Sequence, residues 1–339
     1  MTRKPIPAKL FSGHRTTIAL VLCLFGLCVA RSMLPVKQRA ARGAADDNRV
    51  YLIHADVLHY DRYKNPDAQI LNGHVAFRHQ GATLYCDSAH FYEMSNSFEA
   101  FGHVKMYQGD TLSLFSDYAF YDGNEQMAMA RYNVVLKHRK STLYTDSLNF
   151  DRLYNVGYFF EGGKLVDKDS ELTSDWGEYY TETKQAVFNY DVQLRNKKFF
   201  LTSDTLYYDT GTSVAHAVGP SNITSGASHI YTEDGYYNTN LDRARLFGRS
   251  VMSDKGKWMT GDSVYYDSKQ GTSEAFDNVV YVDSLNKNMM TCDYYWYNEN
   301  TGYGMATKRA VAIDYSQKDS LYMHADTFKI YTYNIDTDS

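Results

Sequence analysis

Aspartate recurs along this chain at intervals of 28 to 33 residues, each time within a similar short pattern. The stretches TLYTDSLNFD (142–151), FLTSDTLYYD (200–209) and WMTGDSVYYD (258–267) show the aspartate followed two and four positions later by apolar or aromatic residues. A period of about 30 residues is typical of solenoids and other repeat arrays, so it constrains the fold more than any single motif. The recurring aspartates are Asp56, Asp87, Asp117, Asp146, Asp175, Asp204, Asp234, Asp262, Asp293 and Asp326.

The residues around each aspartate alternate as they do in a β-strand. The position four residues after the aspartate is aromatic in every copy except those with Asn238 and Ile330. A second alternating pair, such as Val75 and Phe77, stands roughly a dozen residues upstream of most aspartates, and turn formers such as DGNE (122–125) separate the two segments. Helical periodicity is absent after residue 50. The pattern predicts an all-β protein of about ten repeats, each with two or three short strands, stacked as an elongated β-jellyroll or β-solenoid.

The N-terminus has the features of an export signal. Four basic side chains precede the uncharged segment Ile18–Ala30, IALVLCLFGLCVA. Thirteen residues are short for a bilayer span, which takes about 20, so we predict a signal peptide over residues 1–30 with an uncleaved membrane anchor as the alternative. The predicted organisation continues with a linker over residues 31–49, the repeats over residues 50–335 and a tail over residues 336–339.

The charge balance excludes a nucleic-acid partner. Removal of residues 1–30 would leave 31 Lys and Arg against 40 Asp and Glu, a net charge of -9. Binding to phosphate backbones needs clustered Lys and Arg, and no such cluster follows Arg39–Arg42.

The recurring aspartates suggest either a column of metal ligands or a structural residue at a bend. Strict alternation would place each carboxylate on the same face as the apolar residues, where ionised groups are too costly to bury. No glycine-rich calcium-binding nonapeptide accompanies them. We therefore predict bend residues whose carboxylates accept backbone N–H bonds where a strand begins, and no metal.

Other residues with chemical potential have simpler interpretations. Ser263 in GDSV resembles the nucleophile of GDSL-type hydrolases, but it lies in a slot that the repeat fills with Ser or Thr in other copies. His74 and His103 occupy equivalent places in neighbouring copies and are expected to form a surface pair. Cys86 and Cys292 both directly precede a recurring aspartate, seven copies apart, so we expect small-residue fillers and no disulfide. We predict no enzyme activity and no cofactor.

Two consecutive repeats carry a family resemblance. NGHVAFRHQGATLYCDSAHFY (72–92) and FGHVKMYQGDTLSLFSDYAFY (101–121) share the order G-x-V-x-apolar, short turn, L-x-small-D, aromatic. This order resembles the repeat of the OstA-like family, which includes LptA and the N-terminal domain of LptD. The resemblance covers about residues 50 to 335, although the copies over residues 160–175 and 218–234 depart from it.

The resemblance implies a non-enzymatic periplasmic carrier or bridge that shields the acyl chains of lipopolysaccharide, or of a related lipid, in an apolar groove on the way to the outer membrane. It also implies that exposed end strands pair with other jellyroll transport components or with a second copy end to end, with residues 18–30 as a tether if they are retained. We expect local basic residues at the groove mouth. The candidate groove lining is Val75, Phe77, Phe91, Val104, Met106, Tyr121, Val134, Leu136, Phe150, Val192, Leu194, Tyr208, Val264 and Tyr266.

Two other functions remain open on the sequence. One is a structural or adhesive envelope solenoid whose interior is filled by its own side chains. The other is a carbohydrate-binding β-solenoid, which requires clustered exposed aromatic residues and paired carboxylates on one outer face.

Overall fold

The structure is a computed structural model that describes residues 49–61, 63, 65–167, 170–197 and 199–331. The predicted signal or anchor, all but the last residue of the predicted linker, and the predicted tail lie outside these residues. The described part of the chain forms 24 strands and no helix, which confirms the all-β prediction. Within these residues, therefore, no helix has the length and apolar character needed to cross a membrane.

The described residues divide into two compact units, one up to residue 188 and one from residue 189, here named the N-terminal unit and the C-terminal unit. In the N-terminal unit the strands are β1 Tyr51–His54, β2 Val57–Asp61, β3 Asn65–His79, β4 Ala82–Tyr92, β5 Ser97–Gln108, β6 Leu112–Asp122, β7 Met127–His138, β8 Ser141–Asp151, β9 Val156–Phe159, β10 Gly163–Asp167, β11 Ser170–Ser174, β12 Trp176–Tyr180 and the start of β13 Gln185–Asn196. In the C-terminal unit they are the rest of β13, β14 Phe200–Asp209, β15 Val214–Ser225, β16 Ser228–Asn238, β17 Arg243–Phe247, β18 Val251–Asp254, β19 Lys257–Thr260, β20 Ser263–Asp267, β21 Thr272–Asp283, β22 Asn288–Asn298, β23 Tyr303–Asp314 and β24 Leu321–Tyr331.

Most strands are long and bent, where the sequence predicted pairs of short ones. In β3 the register against β4 shifts between Asn72 and Val75, because Gly73 and His74 form a bulge with positive φ values of 76° and 46°. Two residues thus oppose one residue of the partner strand, which bends both strands while the ladder continues on either side. Strands β5 and β7 carry the same bulge, so each predicted pair of short strands in these copies is one strand with a bend.

The hairpin turns explain why the period is so regular. Asp122 Oδ1 accepts backbone N–H bonds from Asn124 and Glu125 at 2.9 and 3.1 Å, which closes the β6–β7 turn. The next such turn then stacks on this one, because the Arg152 N–H donates to the Gln126 carbonyl at 3.1 Å. In the C-terminal unit the same bonds run from Thr239 to Ser213, from Ser268 to Asp242 and from Glu299 to Gly271. An inserted or deleted residue would break this stack, so the spacing is held near 29 residues.

The bend brings the inner faces of the two strand halves together into one core in each unit. In the N-terminal unit Phe77, after the bend of β3, stacks on Phe98, before the bend of β5, with ring centroids 4.8 Å apart. In the C-terminal unit Tyr281 and Tyr295 stack across the core at 6.4 Å. Each core is therefore built from both halves of the repeat.

The altered copy over residues 160–175 has a packing explanation. Phe159 is 1% exposed and lies between Gly163 and Gly177. A β-carbon at either glycine would overlap the ring of Phe159. Glycine at position 177 stands where most other copies have a larger apolar or aromatic residue, since the ring of Phe159 fills the space of that side chain. The core of the repeat is preserved here because the Phe159 ring of β9 replaces the side chain that β12 lacks at Gly177.

In the copy over residues 218–234 the bend lies one residue before the aspartate that the sequence pattern assigns to it. Asp234 points outward and forms a hydrogen bond of 2.8 Å with His216 Nε2, while its neighbour Gly235 is buried. The bend residue is therefore Glu233, between the buried Thr232 and the outward Asp234. With this correction the spacing from the bends at 204 to 262 becomes even, and the inward aromatic residue of this copy is Tyr237 in place of Asn238.

Candidate functional site

The predicted groove-lining residues lie on the inner faces of the two units. Twelve of the fourteen are buried, from Val75 at 0% to Tyr266 at 9%, and only Met106 and Phe150 are half-buried. Their own neighbours supply these contacts, so both interiors are filled by side chains of the protein.

In the N-terminal unit the inner face beyond the bend carries a continuous row of large apolar residues. The residues are direct partners on successive strands, so the row crosses every strand of this half of the unit. Because the strands are about 4.8 Å apart, such a row offers an uninterrupted apolar strip. This leucine row consists of Phe77, Leu84, Met106, Leu114, Leu136, Leu143, Leu165 and Leu172.

The next inward row, two residues nearer the turns, is mixed on the first strands and wholly polar on the last four. Its members on β7, β8, β10 and β11 are polar and more than nine-tenths buried, whereas the polar His79 and Gln108 on β3 and β5 are half-buried. The interior is thus apolar near the bend and polar at its outer margin. This rim row consists of His79, Ala82, Gln108, Leu112, His138, Ser141, Asp167 and Ser170.

Arg152 joins two turns across this margin. Its guanidinium donates to Gln80 Oε1 at 2.6 Å, and to His79 Nε2 and the Tyr121 hydroxyl at 3.1 Å each. Gln80 lies in the β3–β4 turn after the bend, whereas Arg152 lies in the β8–β9 turn before it. The bonds to Gln80 and His79 therefore hold the two halves of the unit together at the side away from the bend, and the bond to Tyr121 anchors Arg152 within its own half.

In the C-terminal unit the corresponding margin carries charges of both signs. Lys257 Nζ lies 3.5 Å from Asp283 Oδ2, and Ser228 Oγ donates to Asp254 Oδ1 at 3.2 Å. Burial alone would raise the pKa of Asp283, but hydrogen bonds from Asn286 and the charge of Lys257 hold it below its usual value. Arg152 and Lys257 are thus basic residues at the margins of the N-terminal and the C-terminal unit.

The recurring aspartates other than Asp234 lie at the bends. Asp56, Asp175 and Asp262 directly precede β2, β12 and β20, as the sequence predicted, whereas most of the others lie within long strands. Their partners are largely side chains of the bulge opposite, although Asp146 accepts the backbone N–H of Asn133 at 3.0 Å, as predicted. His74 Nδ1 lies 2.8 Å from Asp56, His103 Nδ1 lies 2.6 Å from Asp87, and Arg309 forms two bonds of 2.6 Å with Asp293. The hydrogen bond that the Asp56 carboxylate accepts from His74 raises the pKa of His74 and lowers the pKa of Asp56.

These contacts give the aspartates and the two histidines a structural part. Each histidine bonds the carboxylate of its own bend. Within the described residues, no group of three or more His, Cys, Asp or Glu side chains is arranged to hold a metal ion. The aspartate fastens the bulge of the following strand and so fixes the bend.

The bend makes a direct prediction about Gly102. An alanine there would keep a φ of 73°, and its β-carbon would lie 2.5 Å from Asp87 Oδ2. We expect Gly102→Ala to lower the free energy of unfolding by about 2 kcal/mol or more, since the left-handed conformation alone costs an alanine 1–2 kcal/mol. Urea titration measures the change.

Gly81→Ala is the matched control, because Gly81 has a φ of 81° in the β3–β4 turn and open space around its β-carbon position. It loses only the backbone contribution. Equal losses in the two variants would show that the Asp87 carboxylate does not pack on the bulge.

The two cysteines are buried and free, one in each unit. Burial raises the pKa of the Cys86 thiol to about 12 and that of Cys292 to about 11. Both occupy the slot before the bend, where other copies have Ser, Thr, Gly or Ala. They act as small packing residues, as the sequence predicted.

The outer face of the C-terminal unit bears on the carbohydrate-binding alternative. Successive strands there place aromatic rings in contact, and three pairs meet edge to face at interplanar angles of 80° to 88°. In that arrangement the rings cover one another's faces, so they stabilise the sheet as cross-strand pairs. The residues of this row are Tyr207, His216, Tyr236, Phe247, Tyr265, Phe276 and Tyr294.

Residues 47–204 match the model of the OstA-like protein family. This segment belongs to the OstA-like family. Among solved structures, the chain is similar to LptH of Pseudomonas aeruginosa, described as the LptA homologous periplasmic component of the lipopolysaccharide transport device. That similarity has 19% sequence identity and a TM-score of 0.30, and covers 32% of this chain and 83% of LptH. None of the curated proteins compared with the chain matches it.

The repeat of the OstA-like segment continues beyond residue 204. Bends with the same left-handed bulge occur in β21 at Asp277 and Asn278 and in β23 at Lys308 and Arg309. The C-terminal unit therefore has the same repeat architecture as the matched segment.

Two features of the margin, the polar rim row and Arg152, were not predicted from the sequence. The polar rim row could have been found from the sequence, since His138 and Asp167 stand two residues after Leu136 and Leu165 and so share the inner face. Arg152 could not have been found in this way, because it lies in a turn and its partners are more than 30 residues away in the chain.

Proposed function

We propose that the protein is a non-enzymatic periplasmic carrier or bridge that shields the acyl chains of lipopolysaccharide, or of a related lipid, during transport to the outer membrane. Membership of residues 47–204 in the OstA-like family supports this function. The observation that carries it is the graded interior of the N-terminal unit, where an unbroken apolar row ends in a polar margin. That order of surfaces matches an amphiphile with its chains inside and its head at the edge.

Lipid entry would require the two halves of a unit to separate at the margin. Each methylene that leaves water contributes about 0.8 kcal/mol, so a chain of a dozen carbons has about 9 kcal/mol available. Part of that is spent on breaking side-chain contacts such as the Phe77–Phe98 stack. We expect a closed resting state that opens around its ligand.

A second candidate is a structural envelope protein with a permanently filled core. The burial of Val75, Leu143 and Tyr208 to 1% exposure or less favours it, because such residues lack free surface for a ligand. The two candidates differ in whether a lipid ever reaches these side chains.

Exposed edge strands support joining to other components. In β24, Leu321 is 58% exposed and Tyr322 is 60% exposed, and among the described strands β24 pairs only with β23. In β2, Val57 and Tyr60 are similarly exposed, and that strand pairs only with β3 in this part of the chain. Unpaired edges of this kind accept a strand from another chain, so we propose pairing with other jellyroll components or end to end with a second copy.

Site-specific photo-crosslinking tests the carrier proposal. A photoreactive residue at Phe77, Met106 or Leu194 is expected to yield lipid adducts in cells, because each side chain faces an interior. Tyr85 and Tyr107 are the controls, since they lie on the outer face at 47% and 42% exposure. Well-expressed protein without interior adducts, or with equal adducts at the controls, would favour the structural candidate.

A further inference from the structure

We propose that His138, Ser141, Asp167 and Ser170 form a binding subsite for the uncharged, hydroxyl- or amide-bearing head of an acyl lipid. The subsite lies at the polar end of the rim row in the N-terminal unit, next to Leu136, Leu143, Leu165 and Leu172 of the leucine row. This inference rests on the proposed carrier function and specifies the chemistry of its ligand.

The four residues form one transverse line across adjacent strands. His138 of β7 is the direct partner of Ser141 of β8, Ser141 is the partner of Asp167 of β10, and Asp167 is the partner of Ser170 of β11. Direct partners in an antiparallel sheet have β-carbons about 5 Å apart, so the side chains are neighbours on one face. Ser141 Oγ donates to Asp167 Oδ1 at 3.2 Å.

All four side chains are buried, which is unusual for polar residues at a strand end. Their exposed fractions are 2%, 4%, 0% and 3% in chain order. His138 Nε2 and Ser170 Oγ have no hydrogen-bond partner among the residues that the structure describes. A buried polar atom without a partner is costly, so it indicates a group held ready for something else.

The chemistry of the line favours a neutral ligand that both donates and accepts hydrogen bonds. Burial, together with the nearby Arg139 charge, lowers the pKa of His138, so the ring is neutral and Nε2 accepts or donates one bond. Ser170 Oγ does both, and the carboxylate of Asp167 accepts. A hydroxyl or an amide satisfies such groups.

A phosphate fits the same line poorly. Asp167 would repel it at close range, and no member of the line is cationic. Arg139 and Lys140 of the adjoining turn are exposed to solvent, where salt screens their attraction for a phosphate. The subsite should therefore distinguish lipid heads even when the acyl chains are identical.

Binding of two lipids with the same chain tests this. We would measure the affinity of the full-length protein for 1-monomyristoylglycerol and for 1-myristoyl lysophosphatidic acid, using fluorescence competition. The expected result is a preference for the glyceride of about tenfold, the factor that one or two hydrogen bonds supply. Ser170→Ala should remove most of that preference and leave lysophosphatidate affinity unchanged.

The thermal stability of the variants shows whether these side chains have a structural role instead of a role in lipid binding. Ser170→Ala removes a hydroxyl that has no partner among the described residues, so its thermal midpoint should not fall, whereas Ser141→Ala breaks the bond to Asp167 and should lower it. Asp167→Asn removes the charge that would repel a phosphate. It should therefore strengthen lysophosphatidate binding and reduce the preference for the glyceride.

Equal affinity for the two lipids, or a preference that survives Ser170→Ala, would overturn the subsite while leaving the carrier function intact. Absence of binding for either lipid would instead overturn the carrier function, and the subsite with it.

Discussion

Replacing Phe159 by alanine is expected to lower the free energy of unfolding by about 3–5 kcal/mol, the usual cost of truncating a buried aromatic residue. Phe159 of β9 is 1% exposed, and its ring lies between Gly177 of β12, its direct strand partner, and Gly163 of β10. The cavity would be lined partly by glycine backbone, which cannot relax into it with side-chain atoms. Urea denaturation at equilibrium measures the loss.

Gly177→Ala sharpens this test because the two positions share one space. In the native background the new methyl group overlaps the Phe159 ring, an overpacking that we expect to cost about 1–3 kcal/mol. In the Phe159→Ala background the same methyl group enters the cavity and should recover part of the loss. The double variant should thus be more stable than Phe159→Ala alone. Strictly additive losses would show that the ring and the glycine do not compete.

This exchange shows what the sequence pattern does and does not predict. Parity along the chain placed Val104, Leu136 and Leu194 inside, and each of them is buried. The copy over residues 160–175 lacks that parity because its core atom comes from Phe159, on a neighbouring strand. A pattern within one strand cannot report a substitution made from the strand beside it.

The bends were also beyond the pattern. The sequence shows an interruption between two alternating segments, and an interruption reads equally as a turn between short strands or as a bulge within a long one. Gly73 and His74 adopt left-handed φ values that keep the ladder intact, which only the pairing of β3 with β4 reveals. The one-residue slip at Glu233 has the same cause, because two adjacent acidic residues fit the pattern equally well in the absence of a register.

The candidate site divides along similar lines. Its apolar lining follows from local alternation, whereas the closing contact at the margin joins positions 79, 80 and 121 to position 152. Such contacts depend on how two turns meet after the strands bend. The carrier hypothesis and the structural hypothesis predict the same apolar lining. They differ in whether the margin opens to admit a lipid.

Arg152→Ala is therefore expected to accelerate lipid uptake by about tenfold or more. The variant loses three hydrogen bonds, of which those to His79 and Gln80 join the two halves of the N-terminal unit, and we expect the free energy of unfolding to fall by about 1–3 kcal/mol. If binding requires the margin to open, that loss lowers the cost of opening, and each 1.4 kcal/mol corresponds to a factor of ten. Stopped-flow fluorescence with 1-monomyristoylglycerol gives the uptake rate.

Two further variants separate the contact from the charge. Lys105→Ala removes an exposed basic residue from the outer face of β5 in the same unit and should leave the uptake rate unchanged. Arg152→Lys keeps the charge but lacks the planar fork that reaches Gln80, His79 and Tyr121 together, so it should give an intermediate rate. A wild-type rate in Arg152→Ala, measured with the expected loss of stability, would show that lipid does not enter between these two turns. The filled core would then be the working state of this unit.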